Sequence, residues 1–396
     1  MTERVASQPL TAPLLAATGA LSLAVAMGIG RFAFTPMLPL MIRGGVIDTA
    51  AGGWLAAANY LGYLAGALSA ARVGCSPRTL ALTALIGIAL LTAAMAFPGP
   101  PALWLALRFL AGAASAWAFV GTSVWCLSAL AAQGRTDLGS AVYSGVGAGI
   151  AVTGTWCLVA AAMGAGAESL WIQLGALVLV PAGLVAAVLR RLREGTSAAA
   201  PGPAAGTGTV AAGTYGLVLC YGTMGFGYIL PATFLPLLAR SVVDDPRLFG
   251  LAWPVFGLMA AVSAWFSARL LARVSRLQVW AVSQVLMGIG VLLPSLWLSG
   301  WTIAASALLV GGTFMVITLL GVQEIRARAP ARSTVWVARM TAAFALGQIA
   351  GPVLSTLMLQ WPAFRGHGLN LSLQAGSVSL LASAAWLWRQ ARIAPR

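Results

Sequence analysis

Apolar residues fall in long unbroken stretches along this chain, and polar residues are confined to short segments between them. Twelve such stretches are read at roughly 13–41, 50–72, 79–97, 102–130, 138–163, 168–189, 214–239, 248–272, 278–298, 301–325, 335–360 and 369–388. Each approaches or exceeds the ~20 residues an α-helix needs to cross a bilayer. Backbone groups in lipid find no water, so a spanning segment must satisfy its own hydrogen bonds as a helix. The pattern therefore predicts an all-α integral membrane protein with twelve transmembrane helices. Ala24-Val25-Ala26 resembles the cleavage site of a secretion signal, but the apolar run extends well past a signal's length and is read as a span.

The chain also repeats itself. M-G-I-G-R-F-A-F-T-P-M-L-P-L-M-I-R at 27–43 aligns without a gap on M-G-F-G-Y-I-L-P-A-T-F-L-P-L-L-A-R at 224–240, an offset of 197 with seven identities in seventeen positions. Trp54 is echoed by Trp253, and Gly145-x-x-x-Gly149 by Gly347-x-x-x-Gly351, at slightly larger offsets, as loop insertions would produce. Between the copies, 190–213 is rich in Ala, Gly, Pro and Thr and has no apolar period, which reads as a flexible linker. It divides the chain into a six-helix bundle at 1–189 and another at 214–396. An even number of spans per unit makes the two repeats parallel, related by an axis along the membrane normal. One position breaks the repeat: Arg31 in the first copy is Tyr228 in the second.

Composition agrees with the membrane reading. The chain is 60% hydrophobic and 8% charged, against ~25% charged for a soluble domain. Its net charge of +15 comes from arginines in short loops, not from a basic domain, so nucleic acid is not expected as a partner. With the N-terminus inside, sixteen arginines fall in cytoplasmic segments and four (Arg43, Arg240, Arg247, Arg365) in outer loops. This bias predicts cytoplasmic N- and C-termini. The four cysteines show no metal or redox spacing, and His367, the single histidine, lies in an outer loop beside Arg365. No Ser/His/Asp or paired-carboxylate arrangement is visible, so neither an enzyme nor a cofactor is expected. Gly62-x-x-x-Gly66, Gly145-x-x-x-Gly149 and Gly347-x-x-x-Gly351 put small residues one turn apart, which reads as close helix packing or as faces that slide. G-V-G-A-G at 145–149 is not a nucleotide loop, since it lies inside an apolar span with no strand before it.

Three arginines fall within spans: Arg31, Arg108 and Arg339. An arginine at a helix centre costs about 2.5–3.5 kcal/mol on insertion scales. Arg31 lies about four residues, roughly 6 Å, outward of its span's midpoint, too deep for easy snorkelling. No carboxylate lies inside a span; Asp48, Asp137, Glu168 and Glu324 sit at span ends. A water-filled cavity between the halves, with an anionic substrate supplying the missing negative charge, is one solution. The alternative, weighed for both Arg31 and Arg108, is a purely structural role, for Arg108 through backbone carbonyls. Helical spacing puts Gly28, Arg31, Thr35 and Leu38 on one stripe, and Asn59, Tyr63 and Gly66 on another. Arg108, Gly112, Ser115 and Phe119 share a third, and Tyr221, Gly225, Tyr228 and Ala232 a fourth. Tyr143 and Gln348 are polar tips of the fifth and eleventh spans. The candidate substrate-binding set is Arg31, Asn59, Tyr63, Arg108, Tyr143, Tyr228 and Gln348, each weighed against a plain interhelical hydrogen bond. Glu324 and Arg339 are read as an inner gating pair or, equally, as topology anchors.

These features resemble the major facilitator superfamily. R-F-L-A-G at 108–112 is similar to that superfamily's arginine-glycine motif in its fourth helix, and G-Q-I-A-G-P at 347–352 to the glycine-proline pattern where the halves meet. A-A-R-V-G-C-S-P-R at 70–78 departs from the usual loop motif, since Ala71 stands where an aspartate is expected. M-G-I-G-R-F-A-F-T-P-M-L-P-L-M followed by A-G-G-W-L-A-A-A-N-Y-L-G-Y-L-A-G-A-L resembles the YbfB/YjiJ group of these transporters. The resemblance implies a carrier in the bacterial inner membrane and leaves the substrate unassigned. The expectation is a secondary-active or facilitative transporter, working by alternating access as a monomer among membrane lipid. Its substrate is expected to be a small organic anion or amphipathic metabolite, with a proton as a candidate co-transported ion. A multidrug exporter of the same fold and a non-transporting membrane sensor are the alternatives.

Overall fold

The computed structural model describes residues 10–191, 213–242, 250–270, 274–329, 333–364 and 366–393. Its long helices are α1 (Ala12–Arg43), α2 (Thr49–Ser69), α3 (Pro77–Ala94), α4 (Pro101–Ala132), α5 (Gly139–Ala162) and α6 (Ala167–Arg191) in the first half. The second half holds α7 (Thr214–Arg240), α8 (Ala252–Leu270), α9 (Arg276–Leu296), α10 (Gly300–Arg328), α11 (Ser333–Gln360) and α12 (Gly368–Ile393). No strand occurs among the described residues. The expected linker lies, from 192 to 212, outside them. Local sequence starts many of these helices. Asp48, Ser76 and Ser275 accept from backbone amides three residues on, and Ser299 with Thr302 forms a reciprocal capping box. Pro77 and Pro101 stand in first turns, where no amide donor is needed.

Nine of the described helices are long and apolar enough to cross a membrane. The twelve spans expected from the sequence include three that fall short: α2, α8 and α12. Helix α2 carries Gly52, Gly53, Asn59, Gly62, Tyr63 and Gly66, all buried, so apolarity is exchanged for close contact inside the bundle. In α12 the buried Ser372, Ser377 and Ser383 have the same effect, and α8 is apolar over Ala252–Phe266, the part of it whose side chains are described. Exposed Leu90, Val180, Leu219 and Val378 project outward as lipid-facing residues do. Exposed Trp297, Trp301 and Trp361 cluster at helix ends on one side, where an aromatic belt meets headgroups.

The repeated segments form the centre. Helices α1 and α7 are the most buried spans, at 67% and 72%, whereas α6 is only 33% buried and lies at the periphery. Equivalent positions of the repeat meet across the axis between the halves: Thr35 Oγ1 donates to the Ala232 carbonyl at 2.7 Å, and these residues are 197 apart in sequence. Further contact between halves runs through α5 on α8 and α2 on α11.

Glycines set the closest approaches. A Cβ on Gly145 or Gly149 would lie 2.1 Å from the carbonyl oxygens of Ala20 and Ala24, so α5 touches α1 backbone to backbone. Gly347 stands in the same relation to Gly222 of α7, at 2.2 Å, which repeats the arrangement in the second half. Between the halves, a Cβ on Gly147 would lie 2.2 Å from the Ala261 amide, and one on Gly257 would lie 2.3 Å from the Ala151 amide. In lipid, where burial of apolar surface drives little association, such contact supplies the dispersion that holds helices together.

Helix α1 is not the continuous helix that its apolar run suggests. Ala24–Ile29 form a π-helical segment, and regular helix resumes only at Phe34. The amides of Gly30 and Phe32 bond five residues back, to Val25 and Met27, and Thr35 bonds three back, to Phe32. The break leaves the Gly30 and Arg31 carbonyls to partners outside α1, and two polar side chains meet them.

Candidate functional site

Asn59 of α2, fully buried, donates to the Gly30 carbonyl at 3.4 Å and to the Arg108 carbonyl at 2.9 Å. Arg108 of α4 donates through Nη2 to the Arg31 carbonyl at 3.2 Å, and its guanidinium lies 4.9 Å from the Phe34 ring centroid. Asn59 and Arg108, expected beside a substrate, are both placed at the break in α1. Both brace the break in α1, because a distorted helix in an apolar core must recover its carbonyl hydrogen bonds from side chains. Neither is among the described residues that line the two cavities below.

The break carries Arg31 into the space between the halves. The residue is buried, with 3% of its surface exposed. Nη2 donates to Gln348 Oε1 of α11, and Gln348 Nε2 donates to the Tyr228 hydroxyl of α7. Positions 31 and 228, equivalent in the repeat yet different in chemistry, thus hold the two ends of one amide. Tyr228 is stacked between Phe314 and Phe344, at centroid distances of 4.8 and 5.5 Å. The Arg31 guanidinium sits 3.9 Å from the centroid of Tyr63, with Tyr60 and Phe32 at 5.5 and 5.2 Å. Such faces stabilise a cation by about 0.5–2 kcal/mol. They are neutral, as is Gln348, and Arg31 Nε has no hydrogen-bond partner. Among the described residues, no carboxylate pairs with Arg31 or Arg108.

Arg31 and Tyr63 form the deep end of a cavity of about 700 Å³ between the halves. The cavity runs past Tyr143, Tyr221, Phe314 and Phe344 to Thr136, Asp137 and Ser140, exposed or partly exposed between α4 and α5. That is the side of the arginine-rich loops. Tyr143 lies on its wall and donates to Ser123 Oγ at 3.3 Å. Toward the opposite side the halves are joined. Thr35 bonds Ala232, the Tyr60 and Thr233 hydroxyls meet at 3.1 Å, and Arg240 donates to the Pro39 carbonyl at 2.6 Å. A second cavity of about 200 Å³, lined by Pro39, Arg43, Cys157 and Trp253, lies beyond these contacts.

Of the seven expected binding residues, then, Arg31, Tyr63 and Tyr143 line the cavity, while Gln348 and Tyr228 anchor Arg31 from behind. Tyr60, Phe314 and Phe344 escaped the sequence reading. Tyr60 follows the singled-out Asn59 directly, but helical spacing put it on another face. The two phenylalanines carry no polar signal.

The expected Glu324–Arg339 pair is also corrected. Glu324 is held by Arg276 and Arg328, each at 2.9 Å, and Arg339 turns to the Tyr215 hydroxyl at 3.4 Å and the Trp336 ring at 4.7 Å. Both residues belong to the second half, so a bond between them would not close a gap between halves.

Comparison with known proteins agrees with this architecture. The chain superposes on a bacterial homologue of the human lysosomal transporter Spinster, in an inward-facing and unoccupied conformation, with a TM-score of 0.68 and 14% identity over 97% of this chain and 98% of that one. It superposes on the nucleoside transporter NupG with a TM-score of 0.71 and 12% identity, over 96% of this chain and 98% of that one. At these identities the likeness is one of fold: two parallel six-helix repeats of the major facilitator type. No curated protein sequence matches the chain. The family model described as "Uncharacterised MFS-type transporter YbfB" matches residues 23–386, nearly the whole length, and the chain belongs to that family of membrane transporters.

Proposed function

We propose that this transporter carries a small organic anion across the bacterial inner membrane by alternating access, with Arg31 as the anchoring charge. The observation that carries the reading is a buried guanidinium at the deep end of a large cavity, met by neutral groups and retaining an unpartnered Nε–H. A permanently charged group in that setting gains most from an anion that arrives and leaves with the transport cycle. The cavity's opening toward the arginine-rich loops, with Thr35–Ala232, Tyr60–Thr233 and Arg240–Pro39 joined opposite, supports an inward-open state. That assignment rests on the excess of arginine on the cytoplasmic side. Rocking of the halves about the axis between α1 and α7 would exchange which side is joined.

Arginine holds its proton in proteins, and the deep wall has no acid among the described residues, so this site favours a facilitator or a proton that travels on the substrate. Export of amphipathic compounds is a second reading, supported by the aromatic wall, and differs mainly in direction. The test is a thermal-shift screen of organic anions against the wild type and Arg31→Gln, followed by counterflow of any hit in proteoliposomes. Stabilisation and counterflow lost together in the variant support the proposal. A hit that both proteins carry equally well contradicts it.

A further inference from the structure

Deepening the reading of Arg31 as an anion anchor, and resting on it, we infer that the cavity selects an amphipathic monoanion: one carboxylate on an aromatic or aliphatic body, with no second charge. Four observations converge on this class. First, among the described residues the deep end offers a single cation, because Arg108 is turned to the Arg31 carbonyl and is not among those lining the cavity. Second, the walls beyond Arg31 are largely apolar, with Met27, Phe119, Phe314, Met315, Val322 and Phe344 among them. A second carboxylate would lie against these side chains unpaired, which a low-dielectric wall penalises strongly. Third, among the described residues the wall has one carboxylate, Asp137, which is at the opening and is paired with Arg135 at 2.9 Å. An ammonium group on the substrate would therefore also lack a partner, and a zwitterion is disfavoured beside the simple acid. Fourth, about 700 Å³ is the volume of a site for a ligand with at least one ring rather than for acetate or phosphate. Tyr63, Tyr143 and Tyr221 supply hydroxyls along the path, and the Arg31 guanidinium at its end supplies the charge-assisted donor for the head group.

The test is a matched series on one body, read by scanning fluorimetry of the full-length protein in detergent: 3-phenylpropionate, its amide, phenylalanine and phenylsuccinate, with inorganic phosphate alongside. The inference predicts that 3-phenylpropionate raises the unfolding midpoint by about 3 °C at saturation. It should bind roughly tenfold to hundredfold more tightly than the amide. Phenylalanine, phenylsuccinate and phosphate should give little or no shift. Arg31→Gln should abolish the response, and Arg31→Lys should keep the ranking with weaker binding, which separates loss of charge from loss of fold. If phenylsuccinate or phosphate binds more tightly than 3-phenylpropionate and Arg31→Gln removes that binding, the monoanion class is overturned while the anion anchor stands. If the amide matches the acid and Arg31→Gln changes nothing, both fall. No shift with any member of the series overturns the class.

Discussion

At the residue scale, Arg31 is a cation surrounded by neutral groups. Gln348 takes one of its N–H donors, Tyr63 takes its face, and Nε is left over. Its environment is tuned to hold a charge without cancelling it. Gln348→Glu would supply a resident carboxylate at the Gln348 position, convert that hydrogen bond to a buried ion pair and compete with any incoming anion. The expected outcome is a raised unfolding midpoint together with transport reduced by roughly tenfold or more, checked by fluorimetry and counterflow on the same preparation. Normal transport in that variant would mean that the anion does not meet Arg31. The candidate charge itself was legible in the sequence, because an arginine deep in an apolar run has few explanations. Its partners were legible only as types. Tyr228 stood out as the repeat's answer to Arg31, and Gln348 as a polar tip, but nothing in their spacing joined them through one amide.

At the scale of elements, the spans were readable because a backbone in lipid has only helix available to it, and the repeat supplied the division into halves. The break in α1 was not readable. Its five-residue bonds at Gly30 and Phe32 are local, but they persist because Asn59 from α2 and Arg108 from α4 take up the carbonyls left over. That is tertiary information, and it is also why Asn59 and Arg108 were assigned to a binding site. Asn59→Leu should therefore act on stability rather than recognition. Losing the donor to two buried carbonyls costs about 1–3 kcal/mol apiece, which a lower midpoint in fluorimetry would register. The ranking of ligands should be unchanged, and a changed ranking would return Asn59 to the site. The misreading of Glu324 has a simpler source. Arg328 is one turn along the same helix, an ordinary i,i+4 pair, and Arg276 reaches across from the start of α9.

At the scale of the molecule, the two halves are joined on one side of the bilayer by few bonds, and Arg240 makes one of them with the Pro39 carbonyl. Cys157 lies nearby on the wall of the smaller cavity and is buried in this conformation. Arg240→Ala should shift the population toward the state open on that side and raise Cys157 labelling by an impermeant thiol reagent several-fold. The background would carry Cys75→Ser, which removes the exposed thiol. Unchanged labelling would show that this contact does not hold the closed face. In the parent protein, Cys75, in the loop after α2, should label in inside-out vesicles and stay protected in right-side-out ones, which checks the orientation drawn from the arginine bias.

Arg31 is one buried charge set at the end of a passage, where a substrate can meet it. The measurement that tests it most directly is counterflow of organic anions into proteoliposomes by the wild type and Arg31→Gln at equal incorporation. The predicted result is accumulation of an amphipathic monocarboxylate by the wild type and a fall of about thirtyfold or more in the variant, with folding unimpaired. Equal counterflow of that anion by both proteins would contradict the account.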